Sequence, residues 1–437
     1  MAMTEQIHST PHLPGDPYFP AHGDHRYGVS HYDLRLTYRV AANRLDGTAL
    51  LTVTAAQPLS ALELDFAQLR VAGVTVDGLP ARYAHGRGKL RVTPSRPLAA
   101  GERVVVGVRY SGKPVPVPSP WGGLGWEELS DGALVAGQPI GAPSWFPCND
   151  RPGDKASYRI SVTTATPYQV IANGALLARR RGAGNTTWIY EQPEPMATYL
   201  ASVQIGRYQI SEYGGARLAH PPRLATRVRH DFARQGQMMA LFGDLFGPYP
   251  FTGYTVVVAD DDLEIPVEAQ GMSIFGRNHV DGVRGGERLV AHELAHQWFG
   301  NSLTVARWSD IWLQEGFATY AEWLWSESSG GPPAAEHARR WRHRLTQLPQ
   351  DFVLSDPGAP ALFDDRVYKR GALTLHALRG AMGDEPFFTA LRAWTAAHRH
   401  GTVTTGEFAE HVQRHTDRPV APLLSAWLHD RSLPDLT

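Results

Sequence analysis

The first half of the chain alternates apolar and polar residues with a period of two. The segments YDLRLTYRV, GTALLTVTA, KLRVTPS, RVVVGVRYSG and RISVTTA follow this pattern, and Gly, Asn, Asp and Pro residues separate them. Alternation between turn residues predicts β-strands that bury one face. We therefore expect β structure from about Tyr32 to Tyr208, with the proline-rich segment KPVPVPSPWGGLG as a loop inside it.

After about residue 207 the apolar residues recur every three or four positions instead. The segments HDFARQGQMMALFGDLFG, ERLVAHELAHQWFG, DIWLQEGFATYAEWLWSES and YKRGALTLHALRGAMG share this spacing, which is typical of amphipathic helices. One strand, YTVVVAD, precedes the second of these segments. The predicted fold class is therefore multidomain, with an all-β domain over residues 1–207 and an α+β, mainly helical domain over residues 208–437.

The composition is that of an ordinary globular protein, with 437 residues of which 43% are hydrophobic and 19% are charged. The net charge is −1 without a block of lysine and arginine, which argues against a nucleic-acid partner. We find no run of 18 apolar residues and no signal-peptide pattern, so we expect no membrane partner. The single cysteine, Cys148, excludes an intramolecular disulfide and fits a reducing compartment. We expect a cytoplasmic protein, and the oligomeric state stays open.

The stretch VAHELAHQWFGN, residues 290–301, contains a candidate metal site. His292 and His296 are four residues apart, so on a helix both can turn a ring nitrogen toward one cation. Neutral imidazole is a good zinc ligand. Glu293 lies about 100° around the helix, where it can reach a water on the open side of the metal, as in zinc hydrolases. Because this short pattern also arises by chance, the alternative is three polar residues on an ordinary helix.

Glu315, 19 residues after His296, offers the third ligand that a catalytic zinc ion needs. Turn and capping residues between the two segments allow the second helix to return beside the first. The alternative for Glu315 is a solvated carboxylate on an amphipathic helix. Its neighbours Trp312, Leu313 and Phe317 favour a buried surround, where an unpaired carboxylate is costly.

The motifs HELAH and LQEGFATYAEW resemble those of the M1 zinc aminopeptidases, and the resemblance covers nearly the whole chain. It implies a saddle-like β domain followed by a thermolysin-like catalytic domain, with one zinc ion on His292, His296 and Glu315. It also implies that Glu293 is the catalytic base, which takes a proton from water and passes it to the leaving amine. The chain ends close to the end of the family's catalytic domain, so we expect a short form without the C-terminal helical domain.

Two further segments give candidate substrate-binding residues. Glu268, 24 residues before the first zinc histidine, has the spacing of the glutamate in the family's Gly-x-Met-Glu-Asn motif, which binds the substrate's free α-ammonium. The segment departs from the motif at Pro266, which lacks an N–H, and at Ala269, while Gly271 agrees with a downstream glycine. Gln138 lies nine residues before the proline of FPCND, as a Gln or Glu does in the family, and is a candidate second partner of the amine. The alternatives are a loop carboxylate and a turn glutamine.

The segment RVYKRGALTLHALR resembles the family's Tyr-x-Lys-Gly segment, whose tyrosine hydrogen-bonds the oxyanion of the tetrahedral intermediate. Tyr368 takes this position, and Arg370 takes the place of the lysine. A phenol is a suitable donor for charge that develops in the transition state, and the alternative is a buried helix tyrosine. Glu322, two helical turns after Glu315, is either a hydrogen-bond acceptor for a zinc histidine or an exposed carboxylate.

The predicted function is zinc-dependent removal of N-terminal residues from peptides with a free N-terminus. One alternative is a zinc endopeptidase or another zinc hydrolase, which would use Glu268 differently. The other is a non-catalytic peptide-binding protein, which is disfavoured because Glu293 and Tyr368 are both present. The preferred side chain at the first substrate position stays undefined by the sequence.

Overall fold

The computed structural model describes residues 16–436, and the N-terminal part of this range consists of β-strands. They are β1 Tyr27–Arg39, β2 Arg44–Ala55, β3 Leu62–Asp65, β4 Arg70–Val76, β5 Leu79–Pro80, β6 Arg82–Gly86, β7 Lys89–Thr93, β8 Arg103–Gly112, β9 Val117–Ser119, β10 Gly122–Leu129, β11 Gly132–Ala136, β12 Ala156–Ala165, β13 Gln169–Ala172, β14 Ala175–Arg181, β15 Asn185–Met196 and β16 Val203–Gly206.

The largest of the sheets in this part has eight strands in the order β14-β15-β12-β1-β2-β8-β4-β5. Strands β1 and β12 are parallel, and β1 is antiparallel to β2. A second sheet has the order β13-β16-β11-β10-β9, and a third has the order β3-β7-β6. On β1 the side chains of Tyr32, Leu34 and Leu36 are buried and those between them are partly exposed, so the alternation does place one face on the core.

The proline-rich segment is not wholly a loop, and that prediction is corrected here. Val117–Ser119 form β9, which pairs antiparallel with the start of β10 so that Leu124 lies opposite Val117. Strand β9 is at the edge of its sheet, where Pro118 lacks an N–H without breaking the ladder. The β9–β10 hairpin borders the cleft described below.

The C-terminal part is mainly helical. Its strands are β17 Gln209–Tyr213, β18 Ala216–His220, β19 Thr255–Val258, β20 Val267–Ala269, β21 Met272–Phe275, β22 Thr304–Val305 and β23 Thr402–Val403. Its helices are α1 Ala225–Asp231, α2 Gln235–Phe246, α3 Glu287–Ala295, α4 Trp312–Ser328, α5 Ala334–Leu345, α6 Asp365–Met382, α7 Asp384–Ala397, α8 Thr405–Gln413 and α9 Ala421–His429.

The sheet of this part has the order β17-β18-β19-β21-β20, which places β20 at an edge. An all-β part followed by a mainly helical α+β part confirms the predicted fold class. The chain changes from one sheet to the other between Gly206 and Gln209, and the boundary at residues 207 and 208 stays a prediction.

Helix α4 packs against both α3 and α6, α3 also contacts β20, and these three helices carry most of the candidate site. At the crossing of α4 and α6, a Cβ atom on Gly316 would lie 2.8 Å from the Cα atom of Gly371, so the two backbones approach closely. Within residues 16–436, no helix is both long enough and apolar enough to cross a membrane.

Candidate metal centre and active site

Helix α3 and the first turn of α4 bring the three predicted metal ligands together. Oε2 of Glu315 lies 3.4 Å from Nε2 of His292 and 3.4 Å from Nε2 of His296, and all three side chains are buried. Neighbouring ligand atoms of a tetrahedral zinc site with bonds of about 2.0–2.1 Å are about 3.3 Å apart. The three side chains therefore fit a zinc ion.

The second ring nitrogen of each histidine is engaged elsewhere. Nδ1 of His292 lies 2.8 Å from Oε1 of Glu322, and Nδ1 of His296 lies 3.0 Å from the carbonyl oxygen of Phe299. Both partners are acceptors, so each Nδ1 donates its proton there and each Nε2 faces the common centre, where it can bind a metal once its own proton is lost. Of the two interpretations of Glu322, the structure supports the hydrogen-bond acceptor, because the side chain is buried against His292.

The positively charged groups near the metal-ligand triad keep the carboxylates of Glu315 and Glu322 ionised. Burial alone would raise the pKa of Glu315, but the charge of His296 and the hydrogen bonds from both imidazoles lower it to about 2. Burial would also raise the pKa of Glu322, but the charge of Lys369 and the hydrogen bond from His292 lower it to about 2. A cation bound here replaces the imidazole protons, so metal binding is linked to proton release.

Glu293 is buried one residue after His292 and faces the same space. Carboxylate oxygens of Glu268 and Glu293 and a ring nitrogen of His296 all lie within 4.8 Å of one another. This second group could also hold a cation, but we favour the triad with Glu315 because both imidazoles there are oriented by Nδ1 partners. Burial raises the pKa of Glu293, which suits a group that must both take and release a proton.

The predicted amine partners lie on two different walls of one cleft. Glu268 is on the edge strand β20, and its buried Oε1 has no hydrogen-bond partner among the described residues. Gln138 follows β11, and its buried Nε2 also lacks a partner within residues 16–436. Both line the cleft of about 1650 Å³ that contains the metal ligands. Burial raises the pKa of Glu268 to about 7, and the nearby Glu315 and Glu293 act in the same direction.

Gly271, which the sequence offers as a substrate-binding candidate, is not among the residues that line the cleft. It lies in the turn between β20 and β21 with φ of +73°, and its N–H donates to Oε1 of Gln297 at 2.8 Å. A glycine is needed there because other residues rarely adopt this conformation. Its contribution is to the turn that presents Glu268, because the N–H is already used.

Tyr368 lies on α6 with its ring parallel to that of His292, at 6.0 Å between centroids. It lines the cleft, and burial raises the pKa of its hydroxyl well above 10, so the group stays a hydrogen-bond donor. Arg370 points away from the cleft and donates to main-chain oxygens at the end of α9, including that of Trp427 at 2.9 Å. Arg370 occupies the family's lysine position in the sequence, but its side chain makes no contact with the site.

Sequence reasoning missed two cations beside Glu322. NH1 of Arg288 lies 3.4 Å from Oε2 of Glu322, and Lys369 is the cation that most lowers the pKa of Glu322. The lysine next to Tyr368 in YKRG was the available signal. The rotation of α6 about its axis decides whether Lys369 or Arg370 faces the cleft. In the structure Lys369 faces the cleft.

Two protein-family models match parts of this chain. The model described as "Peptidase family M1 domain" matches residues 231–427, and the one described as "Peptidase M1 N-terminal domain" matches residues 127–200. Aminopeptidase M1-B from Oryza sativa subsp. japonica is 24% identical over 92% of this chain and 50% of that protein. The chain thus spans about half the length of the curated relatives it matches.

Solved structures match the fold along most of the chain. The M1 zinc metallopeptidase from Deinococcus radiodurans is 32% identical, with a TM-score of 0.86, and the match covers 97% of this chain and 98% of that one. Native yeast LTA4 hydrolase, 19% identical with a TM-score of 0.80, shares the fold over 94% of this chain and 69% of that one. The family models, the extent of the 32% identical match and the site geometry lead to one conclusion: the chain belongs to peptidase family M1.

Proposed function

We propose that this chain is a zinc-dependent aminopeptidase that removes the first residue of peptides with a free N-terminus. One observation carries the proposal: a buried carboxylate oxygen of Glu268 has no partner in residues 16–436 and lies in the same cleft as the metal-ligand triad. A carboxylate in this position can hold an α-ammonium through a charge-assisted hydrogen bond. A terminus held there places the first peptide bond beside the triad, so one residue is removed per event.

His292, His296 and Glu315 are the residues that would hold a single zinc ion. A bound zinc ion supplies Lewis-acid chemistry, polarising a carbonyl and lowering the pKa of a water molecule. Glu293 takes a proton from the attacking water and delivers it to the leaving amine. Tyr368 donates its hydroxyl hydrogen to the carbonyl oxygen as that oxygen becomes negative. Glu268, with Gln138, holds the substrate's ammonium group in place during these steps.

A zinc endopeptidase is the main alternative. A chain that passes through the cleft brings no ammonium group to Glu268, whose side chain is only 7% exposed. A buried carboxylate without a counter-charge is costly, so the cleft favours a peptide terminus over a passing chain. A non-catalytic peptide-binding protein is less favoured still, because it has no need of Glu293 beside the triad.

Short peptides are suitable substrates for a first test. An M1 zinc metallopeptidase mutant from Deinococcus radiodurans, 30% identical to this chain, is described in a structure bound to a Tyr-Ser-Ala substrate. We carry only the peptide class over to this protein. The single cysteine fits a reducing compartment, so we also keep the cytoplasm as the proposed location.

The test compares Tyr-Ser-Ala with N-acetyl-Tyr-Ser-Ala as substrates and follows the products by chromatography and mass spectrometry. We expect free tyrosine from the first peptide alone, and a large rise in KM or loss of activity in Glu268→Gln. Glu410→Gln is the matched control, because Glu410 is an exposed carboxylate on α8 that does not line the cleft. Equal cleavage of the acetylated peptide, or cleavage at the second bond first, would overturn the aminopeptidase proposal.

A further inference from the structure

The wall of the cleft formed by β10 and β11 carries a glutamate that the mechanism does not use. Glu127 lies opposite Leu134 in the antiparallel pair of β10 and β11. Trp126 and Val135, the next pair along the ladder, are buried in the core of the β part. Because neighbouring residues of a strand face opposite ways, Glu127 and Leu134 face the cleft, and both line it.

Glu127 has no partner for its charge within the described residues. Burial alone raises the pKa of its carboxyl, and no neighbouring cation or hydrogen-bond donor counteracts that effect. The adjacent Glu128, on the other face of β10, does have a partner, since its Oε2 accepts a hydrogen bond of 2.7 Å from Asn43. A half-buried carboxylate without a counter-charge is unfavourable and calls for a cation from outside the chain.

The cations of the cleft lie on other walls, and the two on the α2 and α3 side are paired with carboxylates. Arg234 is 3.1 Å from Glu287, and Arg288 is 3.4 Å from Glu322. The Lys and Arg side chains that line the cleft all come from residues 234–369, and the lining residues of β10 and β11 include neither type. The wall around Glu127 therefore keeps an uncompensated negative charge.

The position of Glu127 relative to Gln138 indicates which part of a bound substrate can reach Glu127. Ala136 follows Leu134 on the same face, about 7 Å along the strand, and Gln138 follows two residues later. If the substrate's ammonium is held at Gln138 and Glu268, the side chain of the first residue can run back over Ala136 and Leu134. Lys and Arg side chains lay their apolar stems on such surfaces and keep the charged end free.

We propose that Glu127 binds the cationic end of the first substrate residue, so the cleft favours peptides that begin with arginine or lysine. The proposal rests on the aminopeptidase function, because the α-ammonium site fixes where the first side chain starts. Glu127 is a specificity-determining residue in this account. It contacts the substrate side chain and takes no part in bond cleavage.

The test compares Arg-Ser-Ala with citrulline-Ser-Ala, because citrulline has nearly the shape of arginine without its charge. In the unmodified protein we expect kcat/KM to be about tenfold higher for the arginine peptide, as for one charge-assisted contact. In Glu127→Gln the ratio of kcat/KM between the arginine and citrulline peptides falls to about one. Glu128→Gln is the matched control on the opposite face of β10, and there the ratio keeps its original value. Leu-Ser-Ala, measured in parallel, reports loss of folded enzyme in either variant.

The outcomes separate this inference from the proposed function. If no peptide loses its first residue, the aminopeptidase function itself fails. If Leu-Ser-Ala is cleaved but the arginine and citrulline peptides are cleaved equally, or Glu127→Gln keeps the original ratio, the role of Glu127 is overturned. A second variant, Glu127→Lys, should reverse the preference and favour peptides that begin with glutamate.

Discussion

Individual glutamates in one cleft take different roles because their surroundings differ. Glu315 is surrounded by two imidazoles, and its pKa is lowered to about 2, which suits a metal ligand. For Glu268, burial and the charges of Glu315 and Glu293 outweigh the opposing charge of His296, and its pKa is raised to about 7. An arriving ammonium group adds a positive charge beside this carboxylate. Environment, more than residue type, assigns these roles.

The hydrogen bond between Glu322 and His292 leads to a prediction about metal affinity. Glu322→Ala removes the acceptor that fixes the His292 ring, and loss of such a partner weakens metal binding about 10–100-fold. Competition with a chelating dye measures the zinc dissociation constant directly. Glu336→Ala, an exposed carboxylate on α5 paired only with Arg340, is the control and should leave that constant unchanged. An unchanged constant in Glu322→Ala would show that the hydrogen bond does not support the site.

At the scale of elements, the close crossing of α4 and α6 sets the distance between the metal ligands and Tyr368. Gly316 follows the ligand Glu315 directly, and Gly371 lies one turn after Tyr368. A Cβ atom on Gly316 would lie 2.8 Å from a backbone atom of Gly371, and backbone cannot move aside as a flexible side chain can. The two helices must separate to admit it.

Gly316→Ala should therefore destabilise the protein by about 1–3 kcal/mol, the usual cost of overpacking, and should also lower kcat as Tyr368 moves. Urea unfolding and peptide cleavage measure the two effects. Gly243→Ala in α2 is the matched control, because a Cβ atom there meets nothing within 4 Å. That variant should gain up to about 1 kcal/mol from helix propensity. Equal stability of the two variants would contradict a tight crossing.

Much of the site is predictable from local patterns and some of it is not. The spacing of His292 and His296 and the position of Glu315 follow from helix geometry, and the structure places these residues together. Glu127 is not predictable as a cleft residue, because the sequence of a strand does not indicate which of its two faces borders the cleft. The contacts of Gly271 and Arg370 are not predictable in this way, because their partners, Gln297 and the end of α9, are distant in sequence. Tertiary packing decides such contacts.

At the scale of the whole molecule, Lys155 connects the β part to the loop after the zinc helix. Its Nζ donates to the carbonyl oxygens of Asn301 at 3.0 Å, Ser302 at 2.8 Å and Gly401 at 3.2 Å. Of these three main-chain acceptors, the oxygen of Ser302 has no other donor within residues 16–436, while those of Asn301 and Gly401 also accept from Thr304. Lys155 therefore joins the β part to two segments of the helical part.

Lys155→Met keeps most of the side-chain volume but removes three hydrogen bonds and leaves the carbonyl oxygen of Ser302 without a donor. We expect a loss of about 1–3 kcal/mol in the free energy of unfolding, because unmet buried polar groups are costly. Thermal and urea unfolding measure the loss, and Lys113→Met, at an exposed position, should change stability by less than about 0.5 kcal/mol. Similar stabilities of the two variants would show that the Lys155 contacts contribute little.

The proposed aminopeptidase activity requires one zinc ion on His292, His296 and Glu315. The most direct test strips the protein with a chelator and adds zinc back in known amounts while following tyrosine release from Tyr-Ser-Ala. We predict that activity is lost on chelation and returns linearly until one zinc per chain is bound, and that Glu293→Gln binds the same zinc without regaining activity. Activity that survives chelation, or a Glu293→Gln variant that is fully active, would contradict the account.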